Sequence, residues 1–319
     1  NGSNNIPLFT PISNGFGDIK DGRAKTGQAR YIEIKLNKRL TDVMFPRQDD
    51  WLLPYAYDDG VQCEPKYYVP IMPMALLNTT TTVSVGWKVM SWARDFKFTL
   101  EQVRHMIKNN YPDPAGEPAS FHKKVWIQEG MTIFEGHYGK GSKEKSEICV
   151  GNYEYHESTN TVQVTQLPLK VWSYKLKCGY VGCKPYDEKV TTRKTKDGEQ
   201  PLPSKEHVLE VSDNTGNNIV DMQVTLRPGA LEKIEEDYGD SQIDPVTDYL
   251  ELKQNLEKQL NMINKDGGVI EFDNYEDIVK HWFPIRRKLY EDRLEREILM
   301  LRFEIIHLEN VQRFVDMEK

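Results

Sequence analysis

The clearest periodicity lies at the C-terminal end of the chain. From Trp282 to Lys319 there is no glycine, and Pro284 is the single proline. Leu294, Ile298, Leu301, Ile305 and Leu308 step by 4, 3, 4 and 3 residues, the a/d seam of a coiled coil or of a long packed helix. Glu291, Glu295, Arg296, Arg302 and Glu309 flank that seam. A second amphipathic run, "TLEQVRHMIKNN" at 99–110, puts Leu100, Val103, Met106 and Ile107 on one helical face, with Thr99 as its cap. "ALEKIEEDY" (230–238) and "VTDYLELKQNLEKQLNMIN" (246–264) also read as helices, and "LPLKVWSYKLKCGY" (167–180) as a helix start.

Alternation by two predicts strands elsewhere. "RYIEIKL" (30–36) alternates and carries β-branched residues, although Leu36–Met44 has helical character. Residues 125–166 hold "VWIQEGMTIFEGHYG", "EICVGNYEYHE" and "TVQVTQL", broken by Gly and Asn, and read as a β-meander. "HVLEVSD" and "IVDMQVTLRP" are further strands. "RQDDWLLPYAYDDGVQCEPKYY" (47–68) is rich in turn residues, and "YPDPAGEPAS" (111–120) is a turn or linker. In "VPIMPMALLNTTTTVSVGW" (69–87), Pro70 and Pro73 exclude a regular helix at the start, and the four threonines make a stiff β-prone stretch.

Composition narrows the class. At 319 residues the chain is long enough for two domains, and with 38% apolar and 29% charged residues it reads as soluble and folded. No apolar run approaches the roughly 18 residues of a membrane span, and "NGSNNIPLF" lacks the parts of a signal peptide. The four cysteines, Cys63, Cys149, Cys178 and Cys183, form no CxxC pair and read as reduced thiols of an intracellular protein. Net charge is −7, but it is segregated. Residues 1–40 hold seven Lys/Arg against three Asp/Glu, and residues 231–250 hold one Lys against seven Asp/Glu. A basic end can bind phosphates while an acidic body repels them and orients the ligand.

Most chemistry fails on spacing. "GHYGKGS" (136–142) invites a phosphate-loop reading, but Phe134 stands where that motif needs glycine, so a hairpin turn is expected. There is no Asp-x-Asp pair, no GxSxG and no HExxH, and His122 and His137 have no ligand partner at helical or turn spacing. Trp282-Phe283 reads as a packing face. What remains is "GDIKDGRAKTGQARY" (17–31), a glycine-containing basic loop that ends on a tyrosine. A phenol has a pKa of about 10, so tyrosine attacks phosphorus only where cations or a metal favour phenolate. Arg30 is adjacent to Tyr31. In an extended segment the two would point to opposite faces, so both reach one phosphate only if the backbone turns there.

These residues resemble a known family. "GSNN" through "GFGDIKDGRAKTGQARYI" is similar to the segment around the active-site tyrosine of type IIA DNA topoisomerases. "EPKYYVPIMPMALLN" (64–78) resembles a second hallmark of the eukaryotic branch and its large-DNA-virus relatives, and "VTQLP" followed by Trp172 a third. "EDIVKHWFPIRRKLYEDRLE" (276–295) looks like the start of the helix leading to that family's exit gate. The matches keep family order along almost the whole chain.

The resemblance implies an α+β fold in three spans. Residues 1–68 would be the C-terminal part of a winged-helix domain, 69–274 a tower-like α+β domain, and 275–319 the start of a coiled-coil arm. It implies Tyr31 as the nucleophile of a reversible 5′-phosphotyrosyl bond and Arg30 as the cation on the reacting phosphate. Lys20, Arg23, Lys25 and Gln28 would be DNA contacts, although the loop departs from the family's pattern at Arg23 and Lys25. Val83 falls where the family wedges an isoleucine between base pairs, with core packing as its alternative role, and Lys170 stands where Arg is frequent. The whole enzyme would be a homodimer acting on double-stranded DNA. It would use Mg2+ and ATP bound by domains outside this chain, with no metal site within it, no membrane contact, and an intracellular location. That location is the nucleus of a cell, or the host cytoplasm or virion for a viral enzyme. Two rivals stand beside it: a non-catalytic DNA-binding scaffold dimerising through the arm helix, and an interaction module recruiting partners through its acidic 231–260 region.

Overall fold

The computed structural model describes residues 6–119, 132–137, 145–181, 192–195, 198–201 and 205–317, apart from positions 13, 14, 19, 21, 85, 217, 218 and 242. In chain order the first elements are β1 (Phe9–Pro11), β2 (Phe16–Asp18), β3 (Gly22–Thr26), a 3-10 turn (Ala29–Tyr31), β4 (Ile34–Leu36), α1 (Lys38–Met44) and a 3-10 segment (Arg47–Leu52). Then come β5 (Tyr55–Asp58), β6 (Val61–Pro65), α2 (Met74–Leu77), β7 (Thr80–Ser84), β8 (Trp87–Ser91) and α3 (Phe96–Lys108). The middle carries β9 (Thr132–His137), β10 (Lys145–Val150), β11 (Asn152–His156), β12 (Thr161–Gln166), α4 (Ser173–Val181), β13 (Thr192–Thr195) and β14 (Gly198–Pro201). The rest are β15 (Val208–Asp213), β16 (Met222–Leu226), α5 (Ala230–Asp237), α6 (Pro245–Tyr249), β17 (Lys253–Leu256), β18 (Gln259–Ile263), β19 (Val269–Phe272) and α7 (Tyr275–Met317). The chain divides into two compact units that interleave in sequence. One holds residues 1–36, 75–99 and 120–259, and the other 37–74, 100–119 and 260–319.

In the first unit an antiparallel sheet of order β11-β12-β16-β15 supplies the main core. The sequence alternation is what builds it. Val162 and Val164 of β12 lie opposite Val224 and Met222 of β16, all four fully buried, while the residues between them are more exposed. Leu176 and Tyr180 from α4, Ala230 and Ile234 from α5, and Val246 and Tyr249 from α6 pack against that face.

The expected single meander does not form. β9, β10 and β17 make a separate three-stranded sheet, so the chain changes sheets between β10 and β11. The residue at the change is Gly151. A Cβ there would stand 2.4 Å from the Gln166 carbonyl oxygen, so only glycine fits. β9 and β10 pair antiparallel, with Gly136 and His137 of "GHYGKGS" in β9; residues 138–144 lie outside the described ones, as does His122.

Three further expectations are corrected. Residues 246–264 are mainly strand, because Glu251 adopts φ 56 and ends α6, and Lys253–Leu256 then pairs with β10. Thr99 lies buried inside α3 and donates its hydroxyl to the Asp95 carbonyl. Asp95 is the residue at the helix start that accepts from a backbone N–H, that of Phe98, at 2.6 Å. Cys178 is disulfide-bonded, whereas Cys63 and Cys149 are free, so four reduced thiols do not describe this chain.

The second unit is organised by α7. Its first four turns bury Tyr275, Ile278, Val279, Phe283, Arg286 and Leu289, a single face at 3–4-residue spacing. Leu289 joins Leu53 and Val69 in a small core. Phe283 meets Tyr111 edge-on, and the Trp282 indole donates to the Pro70 carbonyl at 3.1 Å, which makes this pair the packing face expected of it. Arg286 is buried and bridges Asp49 at 2.6 Å and the Val69 carbonyl at 2.9 Å. The helix continues through Pro284 for 43 residues, about 65 Å at 1.5 Å per residue. From Leu294 onward the a/d seam is exposed among the described residues. The turn-rich 47–68 stretch holds the β5–β6 hairpin, closed by Asp59 and Gly60 at φ 46 and 79, a pair of left-handed residues that suits a two-residue hairpin turn.

Candidate nucleic-acid interface

The site is built within the first unit. β1 and β4 pair antiparallel, Phe9 opposite Leu36, and the Ile12 N–H donates to the Glu33 carbonyl at 3.0 Å. That pairing brackets the basic loop at its root. Inside the bracket β2 and β3 form a small antiparallel pair. The Gly27 N–H then donates to the Gly15 carbonyl at 2.8 Å, with Gly15 at φ 118. That φ lies in territory glycine enters freely and other residues rarely do. Closing the loop at Gly15–Gly27 leaves residues 28–33 before β4, and the chain crosses that gap through the 3-10 turn Ala29–Tyr31. The Tyr31 N–H donates to the Gln28 carbonyl at 2.9 Å.

This turn meets the condition set by the sequence. It brings Arg30 over Tyr31, with the guanidinium carbon 5.0 Å from the ring centroid. Tyr31 is 70% exposed, and Arg30 and Gln28 are exposed beside it. A cation and a nucleophile-capable hydroxyl thus face solvent together. Lys20 sits between β2 and β3, half-buried, and its carbonyl accepts from the Tyr174 N–H of α4 at 3.2 Å. Arg23 and Lys25 lie in β3, and their side chains are outside the described ones.

The β7–β8 hairpin belongs to the same unit. Val83 pairs opposite Lys88 and is 68% exposed, so it is not a core residue. The hairpin is fixed at its base. The Asn78 side chain accepts from the Ile6 N–H at 3.0 Å and donates to the Ile6 carbonyl at 2.8 Å, tying the approach to β7 to the start of the Tyr31 segment. Ser91 donates to the Ala75 carbonyl at 2.7 Å, and the Trp92 indole to the Glu257 carbonyl at 2.8 Å. Lys170, at φ 63, places its ammonium 4.5 Å from the Trp92 ring centroid.

Three buried groups of this unit are disfavoured as nucleophiles. Burial pushes the Cys149 thiol up to about 12. Burial and a hydrogen bond to Asp244 raise the Tyr153 phenol, and burial raises Tyr180. Among the described residues no group of three or more His, Cys, Asp or Glu side chains is placed to hold a metal ion, and no helix is long and apolar enough to cross a membrane. Sequence reasoning left Trp87 and Lys88 without a role. Their signal was the Gly86 turn, which makes 80–91 a hairpin and puts both residues near its tip.

The family model for the A-type polypeptide of DNA gyrase/topoisomerase IV matches residues 1–318. DNA topoisomerase 2 of African swine fever virus is 30% identical over 314 residues, 97% of this chain and 25% of that protein. Mouse DNA topoisomerase 2-beta is 27% identical over 319 residues, 98% of this chain and 17% of the relative. The chain therefore spans about a quarter or less of the length of these curated relatives. Among solved structures, the DNA-binding, cleavage and re-ligation domain of Plasmodium falciparum topoisomerase II superposes with a TM-score of 0.68 at 22% identity, over 95% of this chain and 36% of that one. That likeness shares the mixed α and β fold.

Proposed function

Because this chain belongs to the DNA gyrase/topoisomerase IV family, the type IIA topoisomerases, we propose that it forms part of the DNA cleavage and religation core of such an enzyme. The observation that carries the reading is the turn at 29–31, which sets the Arg30 guanidinium against an exposed Tyr31.

In this reading Tyr31 Oη attacks a backbone phosphorus. The P–O3′ bond breaks as the Tyr31 O–P bond forms, and the product is a 3′-hydroxyl and a 5′-phosphotyrosyl end. Attack by that hydroxyl reverses the step, so resealing needs no separate energy source. Arg30 stabilises the charge that builds on the phosphoryl oxygens, which is electrostatic work by a preorganised donor. Lys20, Arg23, Lys25 and Gln28 hold the flanking backbone. Val83 enters a base-pair step and bends the duplex, for which unstacking costs a few kcal/mol and wrapped contacts offset it. Mg2+ and ATP would be bound by other parts of the whole enzyme.

The same reading makes 1–68 the end of a winged-helix domain, 69–274 a tower-like domain, and 275–319 the first helix of a coiled-coil arm in a homodimer that passes one duplex through another. Its place would be intracellular, in the nucleus of a cell or in the host cytoplasm or virion for a virus. The test is a denaturant trap of the full-length enzyme on duplex DNA with magnesium. Wild type should yield a covalent protein–DNA adduct and Tyr31→Phe none. Adduct from Tyr31→Phe would remove Tyr31 as nucleophile, and no adduct from wild type would favour a non-catalytic scaffold.

A further inference from the structure

The β7–β8 hairpin carries a second exposed side chain that the wedge reading does not use. Trp87 is 48% exposed, whereas Trp92, five residues on in the same unit, is 2% exposed with its indole hydrogen-bonded. The register places Val83 opposite Lys88 and Ser84 opposite Trp87. Residues directly opposite share a face and neighbours along a strand alternate. Trp87 therefore stands on one face of the ribbon, and Val83 with Lys88 on the other. Gly86, at φ 82, makes the turn between the strands, and a Cβ there would meet nothing within 4 Å. The tip is thus narrow, with a large aromatic on one side and a small apolar residue beside a cation on the other. The Lys88 ammonium reaches Glu257 at 3.2 Å.

We propose that Trp87 is a base-stacking residue: when the tip opens a duplex step, its indole covers the base face that Val83 is too small to fill. This rests on the DNA-cleavage reading above and adds to it a determinant of which step is opened. A duplex is the occupant these features fit. An aromatic face stacks on any base, a neighbouring lysine suits the backbone, and the hairpin shares its unit with Arg30 and Tyr31 through the Asn78–Ile6 bonds. A wedge made of valine alone unstacks a step without replacing the lost contact. A wedge with an indole beside it replaces one base–base contact by a base–aromatic one.

The experiment uses the full-length protein with duplexes carrying 2-aminopurine at successive positions of a cleaved site. Trp87→Leu, which keeps an apolar side chain and removes the π-face, should brighten one probe position over wild type and weaken duplex binding about tenfold, while Trp87→Phe stays near wild type. A measurement independent of variant folding is photo-crosslinking of wild type to duplexes containing 5-iodouracil, with the crosslink expected on Trp87. Wild type that forms the Tyr31 adduct but crosslinks elsewhere, or Trp87→Leu that matches wild type in both probes, overturns the assignment and leaves the cleavage reading standing. Wild type with neither adduct nor salt-dependent binding overturns both.

Discussion

Arg30→Ala is the substitution that tests the site most directly. The guanidinium lies 5.0 Å from the Tyr31 ring centroid, and its effect can be bounded by taking about 5 Å to the charge developing on a reacting phosphate. Two unit charges interact by about 332/(εr) kcal/mol. At about 5 Å this is roughly 0.8 kcal/mol if the site keeps the dielectric of water and roughly 3.3 kcal/mol at an effective value near 20. Each 1.36 kcal/mol is about tenfold in rate, so losing Arg30 should slow adduct formation between about fourfold and about 250-fold. DNA binding should change little, because one contact among several on the loop is removed. The exposed position argues that folding is untouched, which a thermal melt of the variant checks. The assay is single-turnover adduct formation at saturating duplex, quenched with denaturant. Arg30→Lys should recover part of the rate, since an ammonium restores the charge but not the planar donor set. A rate within twofold of wild type for Arg30→Ala, with unchanged affinity, would refute the role. The same rate with weakened affinity would make Arg30 a backbone clamp.

Two further outcomes follow from the packing. Asp49→Ala strands the buried Arg286 guanidinium and should lower the stability of the second unit by about 3–5 kcal/mol, most of it restored by adding Arg286→Met; urea unfolding showing a loss below about 1 kcal/mol would contradict a needed pair. Burial raises the Cys149 thiol from 9.0 to about 12 and raises the Tyr153 phenol in the same direction, so folding favours their neutral forms. That stability is complete below pH 9.0 and is lost as pH rises towards about 12, so the urea midpoint should fall across this range and fall less in Cys149→Ala.

Legibility varied with how local the cause was. α7 was plain, because one period runs through Leu294–Leu308 and no glycine interrupts it. β12 and β16 were plain for the same reason: Val162, Val164, Met222 and Val224 alternate with less buried neighbours, and one face of one sheet buries them. The stretch 246–264 misled, since "LELKQNLEKQL" has helical composition. Its strands exist because Lys253–Leu256 pairs with β10, about a hundred residues earlier, and because Glu251 takes a left-handed conformation. Neither cause is local. The change of sheet at Gly151 was hidden likewise, since the atom that forbids a side chain there belongs to Gln166.

The same distinction applies to the candidate site. Residue types were readable: a basic glycine-rich loop, an arginine and a tyrosine. What decides whether they act together is the angle between two adjacent side chains, and alternation along "RYIEIKL" predicted them on opposite faces. The strand instead begins at Ile34, three residues after Tyr31, because Ala29–Tyr31 turn as a 3-10 segment in which the Tyr31 N–H bonds the Gln28 carbonyl rather than a strand partner. The 3-10 turn takes up the remaining chain and rotates both side chains to one side. The glycines therefore have a structural use. Gly15, at φ 118, sits at the closure that precedes the turn carrying Arg30 and Tyr31. A residue with a Cβ at position 15 would disfavour that φ, release the Gly27 bond and let Tyr31 slide into the strand, losing the pairing with Arg30 without touching either residue.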